Sequence, residues 1–134
     1  MHPIVVLIVD DEPLVRTLIA DVLTDDGCLV QEAEDADSAL GLLEADPTIQ
    51  VMVADIRMPG RLDGVGLLSA ARLLRPNLQV IVTSGAIAIG RRLPPQEALF
   101  LQKPFASDAL SSIVRRLAAA GATISSTEDV ALES

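Results

Sequence analysis

Ile4-Val5-Val6-Leu7-Ile8-Val9 runs without a break into Asp10-Asp11. An uninterrupted apolar run rich in β-branched residues suits a strand covered on both faces, as in a parallel sheet, rather than one with a solvated side. In open parallel sheets the ligand crevice lies beyond the carboxyl ends of the strands. This strand therefore delivers two adjacent carboxylates to the edge where ligands bind. Like charges placed there repel unless a cation or a basic side chain lies between them.

Outward from that strand, apolar strands and helical patterns alternate. Pro13 suits the first turn of a helix, and Leu14, Leu18, Ile19, Val22 and Leu23 recur at helical spacing up to Gly27. Residues 28–33 read as a second strand with Leu29 and Val30 as its apolar part. Asp37 is placed to cap a second helix carrying Ala39, Leu40, Leu42 and Leu43, which Pro47 stops. Residues 49–54 form a third strand that ends on Asp55, and Leu67, Leu68, Ala71 and Leu74 mark a helix closed near Pro76. Residues 79–83 form a fourth strand leading into Ser84-Gly85. The stretch 86–96 contains Gly90 and Pro94-Pro95, so the helix there is short or irregular. Residues 99–102 give a fifth strand before Lys103-Pro104-Phe105, and Ser107 caps a last helix carrying Leu110, Ile113, Val114 and Leu117 that closes at Gly121. The alternation predicts an α/β fold, a doubly wound parallel sheet of five strands with helices on both faces. Residues 1–120 make one domain and 121–134 a flexible acidic tail.

Composition narrows the function. The 134 residues suffice for a real core, which must be aliphatic because Phe100 and Phe105 are the only aromatics. A net charge of −9 argues against general affinity for nucleic acid or anionic membranes and favours a cation. Cys28 is the single cysteine, which excludes an internal disulfide and fits a reducing cytoplasm. No stretch approaches the ~18 apolar residues of a membrane span, and no basic-then-apolar leader precedes the first strand. The one histidine, His2, is terminal, so a His-based triad or a multi-histidine metal site is excluded.

The polar residues that follow the strands are ordered: Asp10-Asp11 after the first, Asp55 after the third, Ser84 after the fourth and Lys103 after the fifth. Parallel strands bring all of these to one edge. Neighbouring carboxylates make the oxygen-rich pocket that Mg²⁺ prefers, and an aspartate can act as a nucleophile toward phosphorus. A lysine and a hydroxyl opposite the metal can hold further phosphate oxygens. Unrelated exposed polar residues would show no such ordering by strand.

With these residues in place, the chain resembles a bacterial two-component response-regulator receiver domain over residues 4–120. The resemblance is carried by Asp10-Asp11, Asp55-Ile56-Arg57-Met58-Pro59, Asp63-Gly64, Ser84-Gly85 and Lys103-Pro104-Phe105, in order and at family-like spacing. It implies the flavodoxin-like strand order 2-1-3-4-5. It further implies Asp55 as the phosphoryl acceptor and a Mg²⁺ ligand, Asp11 as a direct Mg²⁺ ligand, Asp10 as a ligand through water, and the backbone carbonyl of Arg57 as another. Lys103 would bind the phosphoryl group, Ser84 would be the switch hydroxyl in preference to Thr83, and Phe100 would stand at the position of the switch aromatic. The implied protein is a stand-alone cytoplasmic switch, a monomer or weak homodimer. It would take phosphate from a histidine kinase or histidine phosphotransfer protein and act on a protein target, with no nucleic-acid or membrane partner and no separate substrate turnover.

Two departures from the family pattern bear on behaviour. The loop Gly60-Arg61-Leu62 is one residue longer than usual, and the stunted stretch 86–96 shifts output to a loop or to the helix 107–120. Arg57 can shield the phosphoryl oxygens and Ala86 cannot orient water, which predicts slow self-dephosphorylation. The competing enzyme class is a Mg²⁺-dependent aspartate-nucleophile phosphohydrolase. Its signature needs a second acid two residues after the nucleophile, where this chain has Arg57. A flavin electron carrier on the same fold lacks its phosphate loop and stacking aromatics.

Overall fold

A computed structural model describes residues 3–55, 64–84, 99–102 and 106–125. Five strands, β1 (Val5–Val9), β2 (Leu29–Ala33), β3 (Val51–Asp55), β4 (Gln79–Ser84) and β5 (Leu99–Gln102), alternate with helices α1 (Pro13–Asp25), α2 (Ala36–Ala45), α3 (Gly64–Leu74) and α4 (Ser107–Ser125). The strands pair in parallel in the order β2-β1-β3-β4-β5.

Every residue of β1 is buried, and strand alternation divides its side chains between two cores. Val5, Leu7 and Val9 pack with Met52 and Ala54 of β3, Val80 and Val82 of β4, and the inner faces of α2 and α3. Val6 and Ile8 pack with Val51, Val53 and Ile81 against Ile19, Ala20 and Leu23 of α1 and Leu110, Val114 and Ala118 of α4. The uninterrupted apolar run is thus the signature of a strand with helices on both sides. β2 hydrogen-bonds only β1 among the described strands, and Leu29, from the apolar part of the strand, is 56% exposed at that edge.

The helix ends explain where local chemistry stops the chain. Pro13 occupies the first turn of α1. At the other end Gly27 adopts φ +94°, its N–H donating to the Thr24 carbonyl while the Cys28 N–H donates to that of Leu23. That pair of bonds is a Schellman closure, which favours glycine. The cap of α2 is Asp35 rather than Asp37: its backbone is extended and its Oδ1 accepts the Ser38 N–H at 2.8 Å. Asp37 lies inside the first turn, where its charge still meets the positive end of the helix. Arg75, just past α3, ties the α2–β3 connection down by donating to the carbonyls of Asp46, Pro47 and Ile49 at 3.2, 3.0 and 2.6 Å.

Two further expectations shift. Leu14 and Leu18 are 71% and 57% exposed, because Ile19 and Leu23 take the sheet-facing side of α1. α4 continues through Gly121 to Ser125, the surrounding alanines offsetting the roughly 1 kcal/mol that an interior glycine costs. The stretch 86–96 and residues 126–134 lie outside the described residues, apart from which no helix is long and apolar enough to cross a membrane.

Candidate functional site

β1 and β3 are neighbours in register, Val9 opposite Ala54, so the residues that follow, Asp10 and Asp55, emerge side by side at the carboxyl edge. Asp11 joins them from the turn into α1. Each of the three offers an oxygen, and these oxygens lie within 4.8 Å of one another. Asp10 and Asp55 are buried, 1% and 7% exposed, whereas Asp11 is exposed. Two buried carboxylates with an exposed third form a hard-oxygen donor set. That is the chemistry a hydrated divalent cation such as Mg²⁺ requires, with coordination positions left for water and phosphate.

The backbone around Asp10 is fixed on several sides. Its N–H donates to the Ala33 carbonyl of β2 at 3.1 Å, and its Oδ1 accepts the Glu12 N–H at 3.0 Å. The latter bond satisfies one of the free donors at the start of α1, so the helix terminus holds the carboxylate as well as favouring its charge. Its carbonyl accepts Nη1 of Arg16 at 2.6 Å, and Nε of the same guanidinium pairs with Glu32 Oε1 at 3.1 Å.

Thr83, the rival hydroxyl, stands opposite Asp55 in register and is 1% exposed, with its Oγ1 3.5 Å from the Ala54 carbonyl as donor. It is a core hydroxyl. Ser84 is the last residue of β4, in register with Gln102, and Phe100 lies in β5 opposite Val82. What their side chains do lies outside the described residues, as do Arg57, Ala86 and Lys103. The structure therefore brings together Asp10, Asp11 and Asp55.

Arg16 and Glu32 were missed from the sequence. The available signal was a lone cation one turn into the helix that follows the acid pair, with an acid near the end of the adjacent edge strand. Reading α1 for its apolar positions alone passes over it.

The response regulator receiver domain family matches residues 6–115. Over 118 residues the chain is 36% identical to the nitrogen assimilation regulatory protein NtrX of Azorhizobium caulinodans, covering 83% of this chain and 25% of that protein. The crystal structure of NtrX from Brucella abortus is similar at a TM-score of 0.86 and 32% identity, over 96% of this chain and 30% of that one. A response regulator receiver protein from Sinorhizobium medicae is similar at a TM-score of 0.80 and 29% identity, over 90% of this chain and 98% of that one. The chain spans about a quarter of the length of the NtrX and NtrX-like relatives it matches.

Proposed function

The chain belongs to the response regulator receiver domain family, and from that premise we propose that Asp55 accepts a phosphoryl group from a phosphohistidine donor, with Mg²⁺, as a cytoplasmic step of phosphorelay signalling. The observation that carries this is the convergence of Asp10, Asp11 and Asp55 at one edge of the sheet. An Asp55 carboxylate oxygen attacks phosphorus while the P–N bond to the donor imidazole breaks. The imidazole, protonated on its other nitrogen, leaves neutral, and a mixed carboxylic–phosphoric anhydride remains on Asp55. Mg²⁺, when bound, supplies positive charge that offsets both the carboxylate repulsion and the charge on the phosphoryl oxygens.

In this proposal Asp11 is a direct metal ligand, Asp10 acts through water, and Asp55 with the Arg57 carbonyl completes the protein's share. Lys103 and Ser84 hold phosphoryl oxygens, and Ser84 with Phe100 carries the change to a protein-binding surface. Leu14 and Leu18, one turn apart and exposed on the helix that starts beside the acid pair, offer an apolar contact for the phosphodonor protein. The relatives carry their receivers in longer regulatory chains, and the proposal concerns the receiver alone.

The test is intact-mass analysis after incubation with Mg²⁺ and a small phosphodonor. Wild type should gain one base-labile phosphoryl group. Asp55→Asn should gain none, and Asp21→Asn, an exposed change on α1, should behave as wild type. Rapid release of free phosphate over many turnovers would instead favour the phosphohydrolase.

A further inference from the structure

We propose that Arg16 is a positioning residue for the metal pocket, locking the turn between β1 and α1 so that Asp10 and Asp11 present their oxygens to the cation. This rests on the reading of the acid cluster as a Mg²⁺ site.

The turn is only a few residues long, and its two carboxylates sit on adjacent residues. Their directions therefore follow directly from the backbone at residues 10–12. Three segments hold that backbone: β2 through the Ala33 carbonyl, the start of α1 through the Glu12 N–H, and Arg16 through the Asp10 carbonyl. The first is a main-chain bond that any sequence could supply, and the second uses the carboxylate of Asp10 itself. Arg16 is the part that depends on a side chain from outside the turn.

Its geometry depends on the guanidinium fork. Nε donates to Glu32 Oε1 at 3.1 Å while Nη1 donates to the Asp10 carbonyl at 2.6 Å. Glu32 lies on β2 directly before Ala33, so the edge strand grips Asp10 twice, once through its own carbonyl and once through the arginine it orients. The Arg16 side chain is 17% exposed, well packed for a cation near the surface. An ammonium is a point donor and cannot hold both acceptors in one fixed plane.

Charge and positioning predict opposite signs, which makes the inference testable. Glu32 neutralises Arg16 locally. On charge alone, deleting the arginine leaves an extra carboxylate near the pocket and should tighten cation binding. On positioning, deletion frees the Asp10 carbonyl, lets the turn reorient, and should weaken it. For Arg16→Lys the charge account predicts no change, and the positioning account predicts a loss.

The experiment is a Mg²⁺ titration of the full chain followed by backbone amide NMR, the dispersion of the same spectra reporting the fold. Arg16→Met should bind about tenfold more weakly than wild type, the low end for partners that orient a ligand without touching the metal. Arg16→Lys should show a smaller loss. Unchanged or tighter binding by folded Arg16→Met overturns the inference, and if that variant does not fold, wild-type affinity in Arg16→Lys overturns it. A wild-type protein whose amides near residues 10, 11 and 55 do not respond to Mg²⁺ overturns the metal-site reading itself, before any variant is compared.

Discussion

Asp10→Asn is expected to make the metal-free protein more stable and its response to Mg²⁺ weaker. Asp10 and Asp55 are both buried, and the oxygens of the acid cluster lie within 4.8 Å of one another. At that separation and an effective dielectric near 20, two unit charges repel by about 3.5 kcal/mol. Asp11 is exposed, so its repulsion with Asp10 is closer to the value in water, about 1 kcal/mol. Asparagine keeps the size and the Oδ1 acceptor that holds the Glu12 N–H. Against the relief of repulsion stand a buried amide NH₂ that costs about 1–3 kcal/mol if it finds no acceptor, and a lost charge–dipole attraction at the start of α1 of roughly 0.3–1 kcal/mol.

Set against those costs, the repulsion leaves a net of about 0.5–3 kcal/mol in favour of the variant. In a domain of this size that raises the melting temperature by roughly 2–12 °C. The assay is thermal unfolding of wild type and variant in EDTA and again in saturating Mg²⁺. Wild type should gain stability from the cation by mass action. Asp10→Asn should start higher in EDTA and gain less. A variant that melts below wild type in EDTA would show that the Asp10 charge is net stabilised in the folded state, and the argument from repulsion would fail.

Three further outcomes are expected. Gly27→Ala should destabilise by about 1–2 kcal/mol through its left-handed backbone, since at φ +94° the added Cβ meets no atom within 4 Å. Gly41→Ala, in α2 with the same open space, should stabilise by up to about 1 kcal/mol; chemical denaturation showing shifts of the same sign would refute the backbone account. Hydrogen bonds from the Thr48 side chain and backbone hold the Asp46 carboxyl below its usual range, with help from Gln31 and Arg75. Its stabilisation is therefore fully present above the unfolded carboxylate pKa of about 3.9 and is lost as pH falls through the lower folded value. Melting curves of Asp46→Asn should accordingly show a flatter acid limb than wild type, and an equally steep one would count against it. Leu14→Ser with Leu18→Ser should leave stability within about 0.5 kcal/mol, both residues being exposed. It should slow phosphoryl transfer from a histidine-bearing donor protein but not from a small phosphodonor, and equal slowing of both would refute the docking role.

What could be read from the residues alone was whatever rests on long-range pattern. The buried run before Asp10, the strand–helix alternation and the convergence of strand-end acids follow from periods of 2 and 3.6 residues and from the geometry of parallel sheets. What escaped was decided by local competition between similar candidates. Asp35 and Asp37 are equally good capping residues, and only the chain's extended backbone at Asp35 selects one. Leu14 and Ile19 are equally apolar, and only the angle at which α1 meets the sheet sets which is buried. Arg16 could not be placed because its partners, the Asp10 carbonyl and Glu32, belong to different segments that pairing with β2 brings together.

Register explains why the carboxylates stay together despite their repulsion. Val9 of β1 and Ala54 of β3 are opposite one another and both face the core beneath α2 and α3. One step further along each strand, alternation turns Asp10 and Asp55 toward the α1 side, where their side chains meet. Sliding β1 by one residue would separate them, but it would also move every buried side chain of β1 to the opposite layer. Repulsion of a few kcal/mol cannot drive that slip against two aliphatic layers at about 0.8 kcal/mol per buried methylene. It is, however, a substantial share of the roughly 5–15 kcal/mol of net stability a domain has. The strain therefore stays in the site, where a cation can relieve it. For the same reason, removing one charge is predicted to stabilise the fold while weakening its response to Mg²⁺.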